Sequence, residues 1–353
     1  MRRLLTLSSA LLAGALVLTG CGGGQNAAEP SGSPTPASSS PAASSLKVGM
    51  AYDIGGRGDK SFNDAAAAGL ERAKAQFGVA SRELEARPGE TDAQKSERLR
   101  LLAQGGYNPI IGVGFAYAKA MQTVAKDFPE VNFAIIDDAS FQAPNVANLV
   151  FAEQQGSYLV GVAAALKSKT GKVGFIGGVN TPLLQKFQAG FDAGAKAAKP
   201  GITITDTYLT QPPDFTGFQD PAKGKVAAEG MYQDGADIIF AAAGSSGLGV
   251  FEAAKDAGTR AIGVDSDQYN TVSNDLKPVV MTSMVKKVDV AVYDFVKSVV
   301  DGSPLTGVRT YDLKAGGVDY STSGGQINDI VSTLDSYKKK IISGEITVPD
   351  TLG

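Results

Sequence analysis

Short apolar runs alternate with helically spaced stretches along most of this chain. Runs rich in Val, Ile or Phe occupy residues 47–52, 109–113, 132–136, 172–176, 202–208, 237–242, 260–264 and 279–284. Each has the length of a buried strand. Between them the spacing changes: Ala66, Leu70, Ala73 and Phe77 recur at i, i+4, i+7 and i+11, and Val288, Val292, Phe295 and Val299 do likewise. That is the period of a helix burying one face. Alternation of this kind predicts an α/β protein with doubly wound layers, mostly parallel sheets covered by helices on both faces. Ligands of such sheets bind beyond the carboxyl ends of the strands, so the residues following each strand are the ones to read for chemistry.

The pattern is different before residue 46. Arg2 and Arg3 precede an apolar stretch from Leu4 to Leu18, and Leu18-Thr19-Gly20-Cys21 follows at once. A charged start, an apolar segment and small residues at a cut site make a secretory signal, and the apolar part falls short of the roughly 20 residues of a membrane span. Cys21 is the chain's one cysteine and has no disulfide partner within it. The run therefore reads as a lipobox: residues 1–20 are cleaved off, and Cys21 carries a thioether-linked diacylglycerol. Residues 21–45 are almost all Gly, Ser, Pro and Ala. They bury too little apolar area to offset their ordering entropy and are expected to form a disordered tether. The expected product is a folded body, residues 46–353, held by lipid on the extracytoplasmic face of a cell membrane.

Composition narrows what that body does. Of the 353 residues, 43% are hydrophobic and 20% charged, and the formal charge of −3 becomes −5 once the signal is lost. This is not the basic footprint that nucleic acid requires. Histidine is absent. That excludes Ser-His and Cys-His nucleophile pairs, a histidine base and histidine metal ligands, and leaves carboxylate chemistry open. The length of the body predicts two lobes.

The segments after the strands repeat one kind of chemistry. The first strand runs into Asp53 and a glycine-rich loop that ends Asp59-Lys60-Ser61-Phe62-Asn63. Later strands are followed by Asp137-Asp138, by Gly244-Ser245-Ser246-Gly247 and by Asp265, and the 279–284 run leads into Lys286-Lys287. Carboxylates, an ammonium, an amide and aromatic rings converging on one cleft suit a nucleoside, which offers a ring to stack, edge N–H groups and a ribose diol. Each residue also has a plainer reading. A carboxylate after a strand is often the N-cap of the next helix, Phe62 alone could be core, and Lys286 and Lys287 could be solvated. Other apparent motifs fail. Asp59 occupies a position where a phosphate loop needs glycine, Gly174, Gly177 and Gly178 lack dinucleotide spacing, and Gly244–Gly247 has no histidine to activate a serine.

Asp59-Lys60-Ser61-Phe62-Asn63, Phe133-Ala134-Ile135-Ile136-Asp137, Gly171-Lys172-Val173-Gly174-Phe175-Ile176-Gly177-Gly178, Asp220-Pro221-Ala222-Lys223-Gly224, Gly263-Val264-Asp265 and Thr282-Ser283-Met284-Val285-Lys286 together resemble the basic membrane protein family. Its members are lipoprotein substrate-binding subunits of ABC transporters. The resemblance implies a type I periplasmic-binding-protein fold, two Rossmann-like lobes with ligand between them, and no enzymatic activity or cofactor. It implies a monomer that passes a purine nucleoside to an ABC permease. Phe62 and Phe218 would stack on the base, with Phe215 the alternative to Phe218. Asp137 would accept from the purine edge and so favour 6-oxopurines. Asp265 and Lys286, or Lys287 in place of Lys286, would hold the ribose, and Asp53, Asn63 and Gly244 would complete the shell. Lobe 1 is expected at about 46–145 with part of 270–305, and lobe 2 at about 150–264 with much of the C-terminal region. Some relatives carry other flat heterocycles such as riboflavin. A carboxylate-dependent nucleoside hydrolase or glycosidase and a sensing surface lipoprotein are the rival readings.

Overall fold

A computed structural model describes residues 45–353. The expected signal peptide, Cys21 and nearly all of the expected tether lie outside the described residues. In chain order the elements are β1 (Lys47–Ala51), α1 (Phe62–Phe77), β2 (Ala80–Leu84), α2 (Asp92–Gln104), β3 (Ile110–Gly112), α3 (Ala118–Asp127), β4 (Phe133–Ile136) and β5 (Val146–Phe151). Then follow α4 (Glu153–Lys167), β6 (Lys172–Val179), α5 (Pro182–Ala198), β7 (Thr203–Thr210), α6 (Pro221–Gln233), β8 (Ile238–Ala242), α7 (Gly247–Ala257), β9 (Arg260–Asp265) and β10 (Val280–Lys286). The chain ends with α8 (Val288–Val300), β11 (Gly307–Tyr311), β12 (Val318–Tyr320) and α9 (Val331–Ile342).

The strands form two six-stranded sheets, ordered β11-β5-β4-β3-β1-β2 and β12-β10-β9-β8-β6-β7. The first is parallel throughout, and in the second β12 alone runs antiparallel, against β10. Interior strands such as β4, β8 and β10 are buried at every position. Helices cover both faces of a parallel sheet, so these strands carry continuous apolar runs rather than alternation. The edge strands β2, β7 and β11 are partly exposed and carry charged residues, which disfavours pairing with other chains.

Each sheet with its helices is one lobe, and the chain passes between the lobes three times. It crosses from β5 into α4 at Ala152, from β10 into α8 at Lys287, and from β11 to β12 through residues 312–317. Backbone bonds tie the crossovers together: the Ala152 amide donates to the Tyr311 carbonyl at 3.0 Å, and that of Lys287 to the Gly317 carbonyl at 2.8 Å. Within 270–305 only α8 packs on the first lobe, against α1, while β10 belongs to the second sheet. An expected start of lobe 2 at residue 150 falls inside β5, a strand of the first sheet. The reason is local: Val150 and Phe151 still pair with Thr310 and Tyr311 of β11, so β5 runs on to Phe151 before the chain turns away.

Candidate functional site

One cavity lies between the lobes, at the carboxyl ends of the strands. It is lined by Asp53, Phe62, Asn63, Asp137, Phe218, Gly244, Asp265 and Lys286, all eight of the residues picked out as candidate ligand contacts. The cavity volume is about 60 Å³, and about 530 Å³ of atom-free space is reached only when its open, solvent-filled mouth is included. Beyond neighbours of the candidates such as Ile54, Asp59 and Val264, two further parts of the molecule reach the lining. Leu183, Leu184 and Phe187 enter from α5, whose N-terminus is fixed by Pro182 and by the Thr181 hydroxyl accepting from the Leu184 amide. Phe115 enters from the turn before α3. Their periodic spacing reads as ordinary core in the sequence.

The charged end of the cavity is built by two strained turns and one strand end. Asp137 and Asp265 both have left-handed backbone, with φ of 65° and 62°. This conformation is uncommon outside glycine and is tolerated best by Asp and Asn. It turns each chain sharply at the end of β4 or β9 and aims the carboxylate into the cleft. Lys286 ends β10, and its ammonium lies 2.6 Å from Asp137 Oδ2 and 3.6 Å from Asp265 Oδ1. All three side chains are at most 7% exposed. The ammonium also lies 4.6, 5.4 and 5.5 Å from the ring centres of Phe62, Phe151 and Phe187, close enough for cation–π attraction. Asp137 Oδ1 is buried and has no hydrogen-bond partner.

Desolvation raises the Asp137 carboxyl to about 7, opposed by the Lys286 charge and reinforced by Glu153 and Asp265. Desolvation alone would lower Lys286, yet Asp137, Asp265 and Glu153 together hold it above its ordinary value. We assign the positive charge to Lys286 throughout the neutral range, because three carboxyl groups surround one ammonium. Glu153 itself, 1% exposed, takes the ammonium of Lys186 at 2.9 Å.

The other end of the cavity is set by the loop after β1. Asp59 folds this loop back. Its Oδ1 accepts from the amides of Ser61 and Asp64, and its Oδ2 from the amide and side chain of Asn63. Asn63 Oδ1 then accepts from the Asp53 amide at 3.0 Å, and Asp53 Oδ1 from the Ile54 amide at 2.8 Å. Gly114, at φ 100°, permits this approach, since a Cβ there would lie 2.2 Å from Asp53 Oδ2. Burial pushes the Asp53 carboxyl up to about 7 and the Asp59 carboxyl up to about 6.

Phe218 closes a short turn ahead of α6 and lies over Gly178, where a Cβ would sit 2.4 Å from its ring. The hydroxyls of Ser245 and Ser246 donate to the carbonyls of Phe218 and Gly217. The Gly244–Ser246 turn is thus a brace for the aromatic residue. Phe215 lies outside the lining and packs edge-on against Phe115 at 5.9 Å. Lys287 lies outside this lining and borders a second cavity, which Asp265 and Lys286 also border. Asp138 is occupied by the amide and hydroxyl of Ser140. Among the described residues no group of three or more His, Cys, Asp or Glu side chains is arranged to hold a metal ion.

Asp137, expected at the base edge, lies against Lys286, with Asp265 on the other side of the same ammonium. A buried ammonium needs a close counter-charge, and Asp137 supplies it from the opposite lobe.

Comparison with known proteins agrees with this geometry. The family model described as ABC transporter substrate-binding protein PnrA-like matches residues 46–352. The chain is 33% identical over 368 residues to a protein of Lactococcus lactis subsp. cremoris named ABC transporter nucleoside-binding protein BmpA, covering 99% of each. It is 36% identical over 323 residues to the CD4+ T-cell-stimulating antigen of Listeria monocytogenes, covering 86% of this chain and 88% of the relative. Among solved structures, a solute-binding protein of an ABC transporter system from Aeropyrum pernix K1 aligns with a TM-score of 0.75 at 30% identity, covering 86% of this chain and 94% of that one. The two-lobed architecture is the type I periplasmic-binding-protein fold.

Proposed function

The chain belongs to the PnrA-like family of ABC transporter substrate-binding proteins, and from that premise we propose that it binds a purine nucleoside between its lobes and delivers it to a membrane importer. One observation carries this reading. A buried ammonium bridges carboxylates from opposite lobes at one end of a cavity that Phe62 and Phe218 line from opposite sides of the cleft. An aromatic pair suits a flat base, and the charged end suits a vicinal diol, which can donate to carboxylates and accept from an ammonium. The relative from Lactococcus lactis, whose name records nucleoside binding, supports the same class of ligand.

In this reading Asp137, Asp265 and Lys286 hold the ribose. Asp137 Oδ1, the unpartnered oxygen, takes a hydroxyl. Asp53 and Asn63 meet the edge of the base. Ionised Asp53 accepts from the N1–H of a 6-oxopurine and repels the bare N1 of adenosine, so inosine and guanosine are preferred. The protein binds and releases without chemistry, as a monomer, and Cys21 anchors it by lipid to the outer face of the membrane. The lipobox and tether of the sequence support that placement.

The deciding experiment is calorimetry, preceded by a thermal-shift screen, with inosine, guanosine, adenosine, free bases, ribose and riboflavin. Bound ligand stabilises by mass action, so purine nucleosides should raise Tm most. If riboflavin or a sugar stabilises and no nucleoside does, the nucleoside reading is wrong. Release of free hypoxanthine from inosine would favour a hydrolase instead.

A further inference from the structure

Ser61 precedes α1, where a serine side chain ordinarily caps the helix, yet its hydroxyl makes no cap bond. Asp59 performs the capping, as described above, and the Ser61 hydroxyl is free to cross the cleft. It donates to Asp265 Oδ2 at 2.6 Å, and Ser61 is fully buried. The backbone around it crosses too. The Ser61 carbonyl accepts from the Ser266 hydroxyl at 3.1 Å. The Lys60 carbonyl accepts from Gln268 Nε2 at 3.0 Å and from the Thr271 hydroxyl at 3.3 Å. Lys60 has φ of 58°, a strained conformation that persists when its surroundings hold it. Gln268 is held in turn: it is 1% exposed, its Oε1 accepts from the Val264 amide, and its own amide donates to the Ser283 hydroxyl. Lys60 and Ser61 belong to the first lobe, and residues 264–271 to the second. Of these groups, Lys60, Ser61, Ser266, Gln268 and Thr271 do not line the ligand cavity.

We propose that Ser61, Ser266 and Gln268 form a clasp between the lobes that orients Asp265 toward Lys286 and favours closure without touching the ligand. Ser61 is a positioning residue. By occupying Asp265 Oδ2 it leaves Oδ1 facing the ammonium. Interactions made only in the closed state shift the open–closed equilibrium whatever fills the cleft. Loosening the clasp should therefore speed ligand release far more than it slows association. Only the ligand arm of the test rests on the nucleoside reading.

The test uses the full chain carrying Cys21→Ser, with spin labels at Lys119→Cys on the first lobe and Val226→Cys on the second, both exposed positions. Electron–electron distance measurements in buffer should show a closed population that Ser61→Ala and, separately, Ser266→Ala move toward longer distances. With saturating inosine both variants should return to the wild-type distance. Inosine should leave Ser61→Ala about tenfold faster, with association within about twofold of wild type. Distances in buffer that neither variant changes, or a wild type already fully open in buffer, overturn the clasp. Failure of inosine to bind the wild type removes the nucleoside reading but leaves the distance comparison decisive for the clasp.

Discussion

Lys286 and Asp137 lie 149 positions apart in sequence and meet at 2.6 Å, joining the end of a second-lobe strand to a strained turn in the first lobe. Asp265, 3.6 Å from the same ammonium, completes an arrangement in which closing the cleft brings the three charges together. Lys286→Met keeps the apolar stem among Phe62, Phe151 and Phe187 but leaves two carboxylates without their cation. Removing one partner of a buried pair costs about 3–5 kcal/mol. We expect a Tm loss at pH 8 that shrinks toward pH 5, as the orphaned Asp137 carboxyl takes up a proton, together with loss of riboside binding. Denaturation at the two pH values checks this, and an equal loss at both would show that the ammonium does not neutralise Asp137.

Asp53 titrates where it matters for a purine. Its folded carboxyl is near 7 against an ordinary 3.8. Between about pH 4 and 7 the unfolded chain gives up this proton while the folded protein keeps it, so this residue's contribution to stability falls as pH rises through that window. The full shift corresponds to roughly 4 kcal/mol. Asp53→Asn should therefore gain stability on the wild type with rising pH up to about 7 and hold the gain above. Ligand choice should follow the same titration. Protonated Asp53 donates to the N1 of adenosine, and ionised Asp53 accepts from inosine, so the inosine-to-adenosine affinity ratio should climb between pH 5.5 and 8.5. A ratio flat across that range in calorimetry would place Asp53 away from N1.

The central strands were legible because strands buried on both faces are continuous apolar runs, as in β4 and β8. β2 and β11 were not, because edge strands with Arg82, Glu83 and Arg309 carry no such run. β5 is interrupted by Asn148, fully buried, whose amide donates to the carbonyls of Asp138 and Phe141 and so holds the turn after β4. That role depends on a loop closed in three dimensions. At the site, Asp137, Asp265 and Lys286 stood out by following strands, whereas Phe218 was reached only through the family resemblance. Which carboxylate would pair with Lys286 could not be found from position alone, since pairing depends on how two lobes meet. Phe187 and Leu184 stayed hidden because a helix lining a cleft has the same period as one lining a core.

Asp137→Asn separates two accounts of that carboxylate. If Asp137 holds ribose beside Lys286, the substitution weakens inosine and adenosine alike, by about 1.5–3 kcal/mol for a lost charge-assisted bond, and changes their ratio little. 2′-Deoxyinosine, with one hydroxyl fewer, should lose less than inosine. A base-reading Asp137 would instead narrow the gap between inosine and adenosine. Titrating the three nucleosides into wild type and variant tells these apart, and a narrowed gap with no effect of the 2′-hydroxyl would sink the ribose assignment.

Cys21→Ser tests the anchor without disturbing the described body. With no second thiol to take the lipid, the variant should appear in the medium or remain as uncleaved precursor. A correctly processed variant that still sediments with membranes after a high-salt wash would rule out lipid on Cys21 as the anchor.

Phe218 and Phe215 are three residues apart and were alternatives in the sequence, but only Phe218 lines the cavity. Stacking of a base on an aromatic ring contributes about 1–3 kcal/mol and depends little on which base it is. Phe218→Ala should therefore weaken inosine, guanosine and adenosine by similar factors, on the order of 10-fold to 100-fold. It should leave the pH dependence of their ratio intact, because Asp53 is untouched. Phe215→Ala removes only an edge-on contact behind the lining residue Phe115 and should change affinity much less. Since Phe218 also braces against Gly178, Phe218→Tyr keeps the ring and serves as the folding control. If Phe218→Ala binds as tightly as Phe218→Tyr, the ring does not stack on the ligand, and Phe62 with the α5 side chains must carry the apolar contact instead.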